Sequence, residues 1–536
     1  MADRNTKKHI AALKRERTKR LAKLGTRVYY LRKRGREQEM YTLLCEEFLA
    51  LGGVYVKFMQ GVMYNSPIIK RWHSPSRLKI FENLDTYPIN IVQLLQNELS
   101  PEQLRDIALV QPEPFAAGSF GQVYRAQHAN GQQIVIKVLR PMIRELLKYD
   151  LRLLSMFGKR FVSQEYTNFD VKMDAAFREF RQATLSETDY VEEARFANEL
   201  YETYKDHSHI VIPKTYMDLC TSHIIVQDYV DGISGAELLR LKEEEGADPA
   251  QVVKERLGSD LDTQLMIAGV ESMVGIFTLP RVPGDPHPGN VRFMTNDRIG
   301  LIDFGIYAPT PRNLGAFYSL IEEWSRVYEE DATVAGMFEQ FMRYFVNDLY
   351  RALKKLGNLT PGMSNLSNTA ARFLSPGTDR VSSGSSDLVR EIGRIVQDAF
   401  DSATGTSDLR KLVEQGQLLH AFGQIANKDN RLGLVVRFES SEVLRAAQTY
   451  IALLKALDRN TLYPKILAQA VEVIARDYPD VVRDTDASLS ASQAIAIINK
   501  WLERVAMKDP VLFSQLLRRI SPREEAVLNT KETGDA

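Results

Sequence analysis

The chain has 536 residues, 44% of them hydrophobic, enough for a core-bearing domain and a substantial second body. Its 69 Lys and Arg residues balance 69 Asp and Glu, so global charge speaks against nucleic acid or another polyanion as a partner. Only two cysteines occur, Cys45 and Cys220, which excludes a disulfide framework or a cysteine metal site and fits a reducing compartment.

From Arg4 to Arg36 basic residues recur and the only acid is Glu16. Ile10, Leu13, Leu21, Leu24, Val28 and Leu31 fall near helical spacing on one face, so residues 1–40 are expected to form a basic amphipathic helix. Such a helix lies on an anionic membrane surface, or packs on its own domain with its lysines in solvent. Serine is absent before residue 66, which counts against a transit peptide. Residues 41–112 are read as a helical extension.

Residues 114–139 then read as a strand, a hairpin turn and a return strand. Val123 to His128 alternates, Asn130-Gly131 is a strong hairpin signal, and Ile134-Val135-Ile136-Lys137-Val138 is β-branched. Before them lies a run of small residues, Ala116-Ala117-Gly118-Ser119-Phe120-Gly121, which can cover nucleotide phosphates because little side chain keeps backbone N–H groups away. A lone lysine in a strand is usually an edge residue; after such a loop, Lys137 is a candidate for the α/β-phosphate contact. Phe177 to Tyr204 has helical spacing and a cluster of acids, Glu187, Asp189, Glu192 and Glu193. Clustered acids are most often a solvated face. Glu193 is the choice for the partner of Lys137.

The apolar strand Ile224-Ile225-Val226 should end this small lobe (residues 113–231), with a hinge near Gln227 to Gly232 and Gln227 as a candidate nucleotide contact. A helix at Ala236 to Glu245 opens the large lobe, whose core is placed at 232–330. Leu265 to Leu279 is apolar but short and contains Glu271, so it reads as a buried helix, and no uncharged run reaches membrane-spanning length.

Next come Gly284-Asp285-Pro286-His287-Pro288-Gly289-Asn290 and Leu301-Ile302-Asp303-Phe304-Gly305. An acid, an amide five residues on, and a second acid after a short hydrophobic hairpin are the catalytic and metal-binding set of kinase-type phosphoryl transfer. Asp303 and Asn290 would hold Mg²⁺ on the nucleotide phosphates, and Asp285 would orient the attacking group or a water. His287 is expected to shape the loop without being a ligand. Helical sequence resumes almost at once after Gly305, leaving no long activation segment and no Ala-Pro-Glu element to receive a peptide. Residues 331–536 carry no motif. Phe317 to Leu356, Asp387 to Phe400, Ser441 to Leu457 and Ala491 to Val505 read as amphipathic helices, with loops at 357–386 and 402–408.

These segments resemble the UbiB-type atypical kinases, a family associated with ubiquinone biosynthesis. The family's Lys-x-Gly-Gln element is matched by Lys57-Phe58-Met59-Gln60, its Ala-rich loop by Ala116-Ala117-Gly118-Ser119, and its Glu-x-Asp element by Glu187-Thr188-Asp189, followed by Glu193. The resemblance covers roughly residues 45–310. It implies that Lys57 and Gln60 lie over the nucleotide pocket and that Glu187 and Asp189 approach Lys57 or the metal. Met59 stands where the family has glycine and Gly118 where a third alanine is usual, which puts the packing of the first element and the nucleotide positioning of the second in question.

The resemblance implies an α+β, protein-kinase-like two-lobed fold with a helical amino-terminal extension and a large helical carboxy-terminal region. Its expected ligands are ATP and Mg²⁺. The activity implied is ATP hydrolysis, or phosphorylation of a small, lipid-like or quinone acceptor, in support of isoprenoid quinone biosynthesis. A protein kinase and a nucleotide-sensing scaffold are the alternatives. Many bacterial members end in membrane-spanning helices and this sequence does not, so the expected location is cytoplasmic, or peripheral on the cytoplasmic face of a membrane.

Overall fold

A computed structural model describes residues 2–59, 88–118, 120–161, 180–181, 184–311, 313–328, scattered positions between 337 and 352, 441–482, 490–511 and 513–514. Gln60, Ser119, the expected helix Asp387 to Phe400 and both expected loops at 357–386 and 402–408 lie outside them. The chain divides into two compact units, residues 1–232 with 300–306 and residues 233–299 with 307–536.

In the first unit the basic segment is one long helix, α1 (Ala2–Lys33), followed by α2 (Glu37–Leu51) and the short α3 (Val54–Phe58). Leu21, Leu24 and Val28 are buried in a core with Phe48, Tyr55 and Leu154, so the apolar face of α1 is covered by its own domain. Charge adds to this docking. Arg17 meets Asp150 at 2.5 Å and Arg20 meets Glu47 at 2.7 Å. Asp150 also accepts from the Tyr55 hydroxyl at 3.2 Å, and burial pushes its carboxyl up to about 6 although Arg17 and Tyr55 pull it down. Lys8, Arg15, Lys19, Lys23 and Arg27 remain exposed on the outer face.

Helices α4 (Ile91–Glu98) and α5 (Pro101–Leu104) are started by Asn90 and Ser100, whose side chains accept backbone N–H groups of the first turn. They lead into an antiparallel sheet of β1 (Ile107–Val110), β2 (Ala116–Ala117), β3 (Gly121–His128), β4 (Gln133–Leu139) and the later β6 (Ile224–Asp228), in the order β1-β3-β4-β6, with β2 also paired to β3. Residues 107–110 were expected to belong to the helical extension. Four residues are too few for a periodic signal, and pairing with β3 makes them a strand. The β3–β4 hairpin turns at Gly131, with φ of 89°.

After the sheet come α6 (Ile143–Phe161), α7 (Tyr190–Tyr204), β5 (Ile210–Val211) and β6 (Ile224–Asp228). The helix expected from Phe177 is interrupted at Glu187 to Asp189, where the Asp189 side chain accepts the N–H of Glu192 and starts α7 afresh. One sheet face, with Tyr124, Ile134, Ile136, Val138 and Val226, packs against Ile91 and Leu95. Strand alternation puts Lys137 on the other face, between Val123 and Ile225 in register. Cys45 and Cys220 are free, and burial pushes each thiol up to about 11.

The second unit opens with β7 (Ile233–Ser234), α8 (Gly235–Glu245), α9 (Pro249–Leu257) and α10 (Leu261–Thr278). Then follow β8 (Arg281–Pro283), β9 (Val291–Phe293) and β10 (Ile299–Leu301), the last running on into the first unit. The turn after β9 has positive φ at Asn296 and Asp297, and the buried Gln264 amide of α10 donates to the Met294 and Arg298 carbonyls at 2.7 Å each, which holds it. Strand β11 (Tyr307–Pro309) pairs with β8, and α11 (Leu314–Ser325) starts at an Asn313 cap. Helices α12 (Ser441–Ala456), α13 (Leu462–Asp477) and α14 (Ala491–Lys508) complete the described chain.

Helix α10 is the centre of this unit. The Tyr450 hydroxyl donates to the Leu265 carbonyl, and Arg459 meets Asp262 at 2.6 Å. At Gly269 a Cβ would lie 2.7 Å from Ile466 and 3.0 Å from Tyr450, so the absence of a side chain lets α12 and α13 approach. Among the described residues no helix is long and apolar enough to cross a membrane.

Candidate active site

Lys137 meets two acids of the first unit. Its ammonium lies 2.5 Å from Glu193 and 3.4 Å from Asp303. Burial works against the charge of Lys137, yet Asp303 and Glu193 together outweigh it and hold the ammonium protonated, well above the ordinary lysine range. Glu193 is 4% exposed, and burial pushes its carboxyl up to about 7, with Lys137 opposing and Asp303 adding to the rise. One ammonium thus faces two acidic side chains.

Helix α7 positions the second acid as well as the first. Phe304 is buried edge-on to Phe196 at 6.2 Å, and Phe196 lies one helical turn after Glu193. Asp303 folds back to accept the Gly305 N–H at 3.0 Å. The Asp-Phe-Gly segment is therefore tied to the helix that carries the lysine's partner. After it, helical structure resumes at Leu314, so residues 306–313, which include β11, connect Gly305 to α11.

The described residues of the small-residue segment are hydrogen-bonded to their own sheet and to Arg140. Ala116 and Ala117 pair with Val123 and Gln122, the Gly118 N–H donates to the Gly121 carbonyl at 2.9 Å, and the Gly118 carbonyl accepts from Arg140 at 2.9 Å. The N–H of Gly118 is thus engaged within the loop. At Gly118 an added Cβ would meet only the Gly121 oxygen, at 3.9 Å. Gly118→Ala is accordingly expected to leave folding stability unchanged or raise it by about 0.5 kcal/mol, since alanine narrows the unfolded ensemble. Chemical denaturation checks this, and a loss above about 1 kcal/mol would contradict the geometry. At Gly121 a Cβ would lie 2.4 Å from the Tyr190 hydroxyl and 2.9 Å from the Val138 carbonyl, so that position has no room.

The Lys57 element belongs to the same unit. Lys57 meets Glu187 at 2.6 Å. The turn that carries Glu187 is held by Arg144, which donates to the Thr188 and Ser222 carbonyls. Asp189 was expected beside Lys57 or the metal; here it caps α7, because its side chain is the nearest acceptor for that helix's first N–H groups. Met59 is buried in the core shared with α1, which is what the larger side chain does in place of glycine. Gln227 was expected to face the nucleotide, but its amide donates to the Thr215 hydroxyl at 3.0 Å in a buried pair. Among the described residues no three His, Cys, Asp or Glu side chains gather at metal-binding distance, so Glu187, Asp189 and Asp303 do not form a carboxylate cage.

Asp285 and Asn290 lie in the second unit, on the loop after β8. The Asn290 amide donates to the Asp285 carbonyl at 3.1 Å, and the Asn290 N–H donates to the His287 carbonyl. The His287 ring nitrogen Nδ1 accepts the Gly289 N–H at 3.0 Å. The histidine thus shapes the turn.

Comparison with known proteins finds a likeness for the segment that carries these motifs. Residues 85–336 match the family described as the ABC1 atypical kinase-like domain. That segment is just under half of the 536 residues, and its likeness is to a kinase-like domain.

Among curated relatives, this chain is 31% identical over 277 residues to the chloroplastic protein Activity of bc1 complex kinase 1 of Arabidopsis thaliana, covering 50% of this chain and 37% of that one. It is 27% identical over 267 residues to the chloroplastic kinase 3 of the same name and plant, covering 49% and 35%. To the probable protein kinase UbiB of Tolumonas auensis it is 26% identical over 382 residues, covering 65% of each chain. The chain therefore spans about a third of the two plant relatives' length. The α+β, kinase-like fold expected from the motifs agrees with the kinase-like domain matched over residues 85–336.

Sequence reading passed over two groups at the site. Tyr190 directly follows Asp189, and its hydroxyl is buried with no hydrogen-bond partner among the described residues. Arg140 holds the loop carbonyl and follows the β4 strand. Neither has a residue type or spacing that marks it. A fixed cation beside the Asp303 carboxylate, near a buried hydroxyl with no partner among the described residues, fits a divalent metal with a polyphosphate.

Proposed function

We propose that this ABC1 domain binds Mg-ATP and hydrolyses it or transfers its terminal phosphoryl group to a small or lipid-like acceptor, a quinone precursor among them. The observation that carries the reading is the Lys137–Glu193 ion pair at 2.5 Å with Asp303 at 3.4 Å from the same ammonium. A lysine fixed by a helix acid next to the Asp-Phe-Gly carboxylate is the arrangement kinase-type chemistry uses. Lys137 would neutralise phosphate oxygens, held by Glu193. Asp303 would be a metal ligand, and from the motif order Asn290 is assigned as a second and Asp285 as the group orienting the attacking oxygen. Bound Mg²⁺ would supply charge neutralisation on the phosphates. Lys57 and Glu187 form a further ion pair of the same unit, which supports a role for the Lys57 element over the nucleotide.

The short connection from Gly305 to α11 favours a small acceptor over a peptide, because it offers no extended segment for a peptide to lie on. A peripheral membrane location is part of the same reading. With its apolar face buried, α1 would meet an anionic surface through Lys8, Arg15, Lys19 and Lys23, and so electrostatically.

The fate of γ-radiolabelled ATP tests the reading. Release of labelled phosphate, or label passing into a lipid extract, supports it. Label on protein would replace it with protein kinase activity, for which Gly118 and Gly121 in the loop are the argument. Tight binding without turnover would make the domain a nucleotide-sensing scaffold.

A further inference from the structure

Tyr190 is the first residue of α7, and its hydroxyl is an anomaly of the first unit. The residue is 1% exposed, and its oxygen has no hydrogen-bond partner among the described residues. Buried polar atoms are nearly always paired, because an unmade hydrogen bond in a protein interior costs the full desolvation of the group. The ring is buried in the core cluster that also holds Leu139, Leu147 and Ala194, so it does not swing out to find a partner in solvent.

Two neighbours indicate what the hydroxyl is for. The ammonium of Lys137 lies 5.8 Å from the centre of the Tyr190 ring, and the hydroxyl reaches Gly121, where it would overlap any Cβ. Both Lys137 and the loop ending at Gly121 are elements assigned to the phosphates. The phenol is a donor at neutral pH, since burial, aided by Glu193 and Asp303, raises its pKa far above the ordinary tyrosine value despite the opposing charge of Lys137.

We propose that the Tyr190 hydroxyl is a phosphate-binding group, donating its hydrogen bond to an oxygen of a bound nucleoside polyphosphate beside Lys137. This rests on the nucleotide reading of the site and adds a ligand that the kinase-type motifs do not contain. It also gives Gly121 a specific reason: the loop must pass the hydroxyl without a side chain. Among the described residues nothing pairs with the hydroxyl, and the ligand would supply its partner.

The test is Tyr190→Phe in the full chain, read by thermal melting without ligand and by calorimetric titration with Mg-ADP and with adenosine. The expected result is an unchanged or higher melting temperature, unchanged adenosine affinity, and Mg-ADP affinity weakened about tenfold, the loss typical of one good hydrogen bond to a charged group. Mg-ADP affinity equal to that of the wild type would overturn the proposal. So would a lowered melting temperature with both ligands weakened alike, since the hydroxyl would then be structural. If the wild-type protein itself binds no Mg-ADP, the nucleotide reading fails and takes this proposal with it; failure of the proposal alone leaves wild-type binding intact.

Discussion

Lys137→Met is expected to lower ATP turnover by at least about a hundredfold, the scale seen when one preorganised charge or donor is removed from a reacting phosphate or acyl group. It is also expected to destabilise the first unit by roughly 3 kcal/mol, because Glu193 stays buried with Asp303 nearby and loses its cation. The two effects separate by pH. Glu193 already titrates at about 7 against 4.5 for an ordinary glutamate, and burial without Lys137 raises it further. Above pH 4.5 the folded variant therefore holds a proton that the unfolded chain has released. The stability linked to that proton is lost as pH rises through the folded value, so the penalty should grow from pH 6 to pH 9. Adding Glu193→Gln to Lys137→Met should restore much of the stability and none of the turnover. Denaturant midpoints at the two pH values, with phosphate release, decide it; a penalty that shrinks with pH would contradict the ion-pair account.

The second large effect is expected far from that lysine. Arg17→Met should cost roughly 3 kcal/mol at pH 8, because it strips the buried Asp150 of its cation. Asp150 already sits at about 6 with Arg17 present, and without it the carboxyl takes up a proton more readily, so the cost should be smaller near pH 6. Arg17→Met combined with Asp150→Leu should recover most of the loss, since a paired apolar replacement leaves no charge behind. Substituting the exposed Lys19 instead should change stability by less than about 0.5 kcal/mol. Protection of α1 amides from hydrogen exchange would report the same order. Equal effects of Arg17 and Lys19 would mean that α1 is not docked by this contact.

The reading of α1 shows where sequence suffices and where it stops. The stripe from Ile10 to Leu31 was legible because helical period is local, and its buried members are those the period selects. What the stripe packs against was not legible, because the deciding partner, Asp150, lies 133 residues away. The same division runs through the site. Strand alternation placed Lys137 on the face opposite Ile136 and Val138, and the acid cluster contained its partner Glu193. Nothing local distinguished Asp189 as a cap, although an acid three residues before Glu192 is a capping signal in hindsight. Gln227 looked available at a hinge because its partner Thr215 belongs to a separate segment. Tyr190 had no signal at all, since an unpaired hydroxyl is a property of its surroundings. The edge strand at 107–110 was missed for lack of length, and only pairing with β3 defines it.

The central claim is that Lys137 and Asp303 are the polyphosphate and metal ends of one nucleotide site in the first unit. Titration of ATP into the full-length protein with and without Mg²⁺, repeated for Asp303→Asn, tests it most directly. Asp303→Asn keeps the side chain's size and removes the charge a divalent ion requires. Binding that strengthens with Mg²⁺ in the wild type and loses that dependence in the variant is the predicted result. Tight ATP binding by Asp303→Asn, with the same response to Mg²⁺ as the wild type, would contradict it.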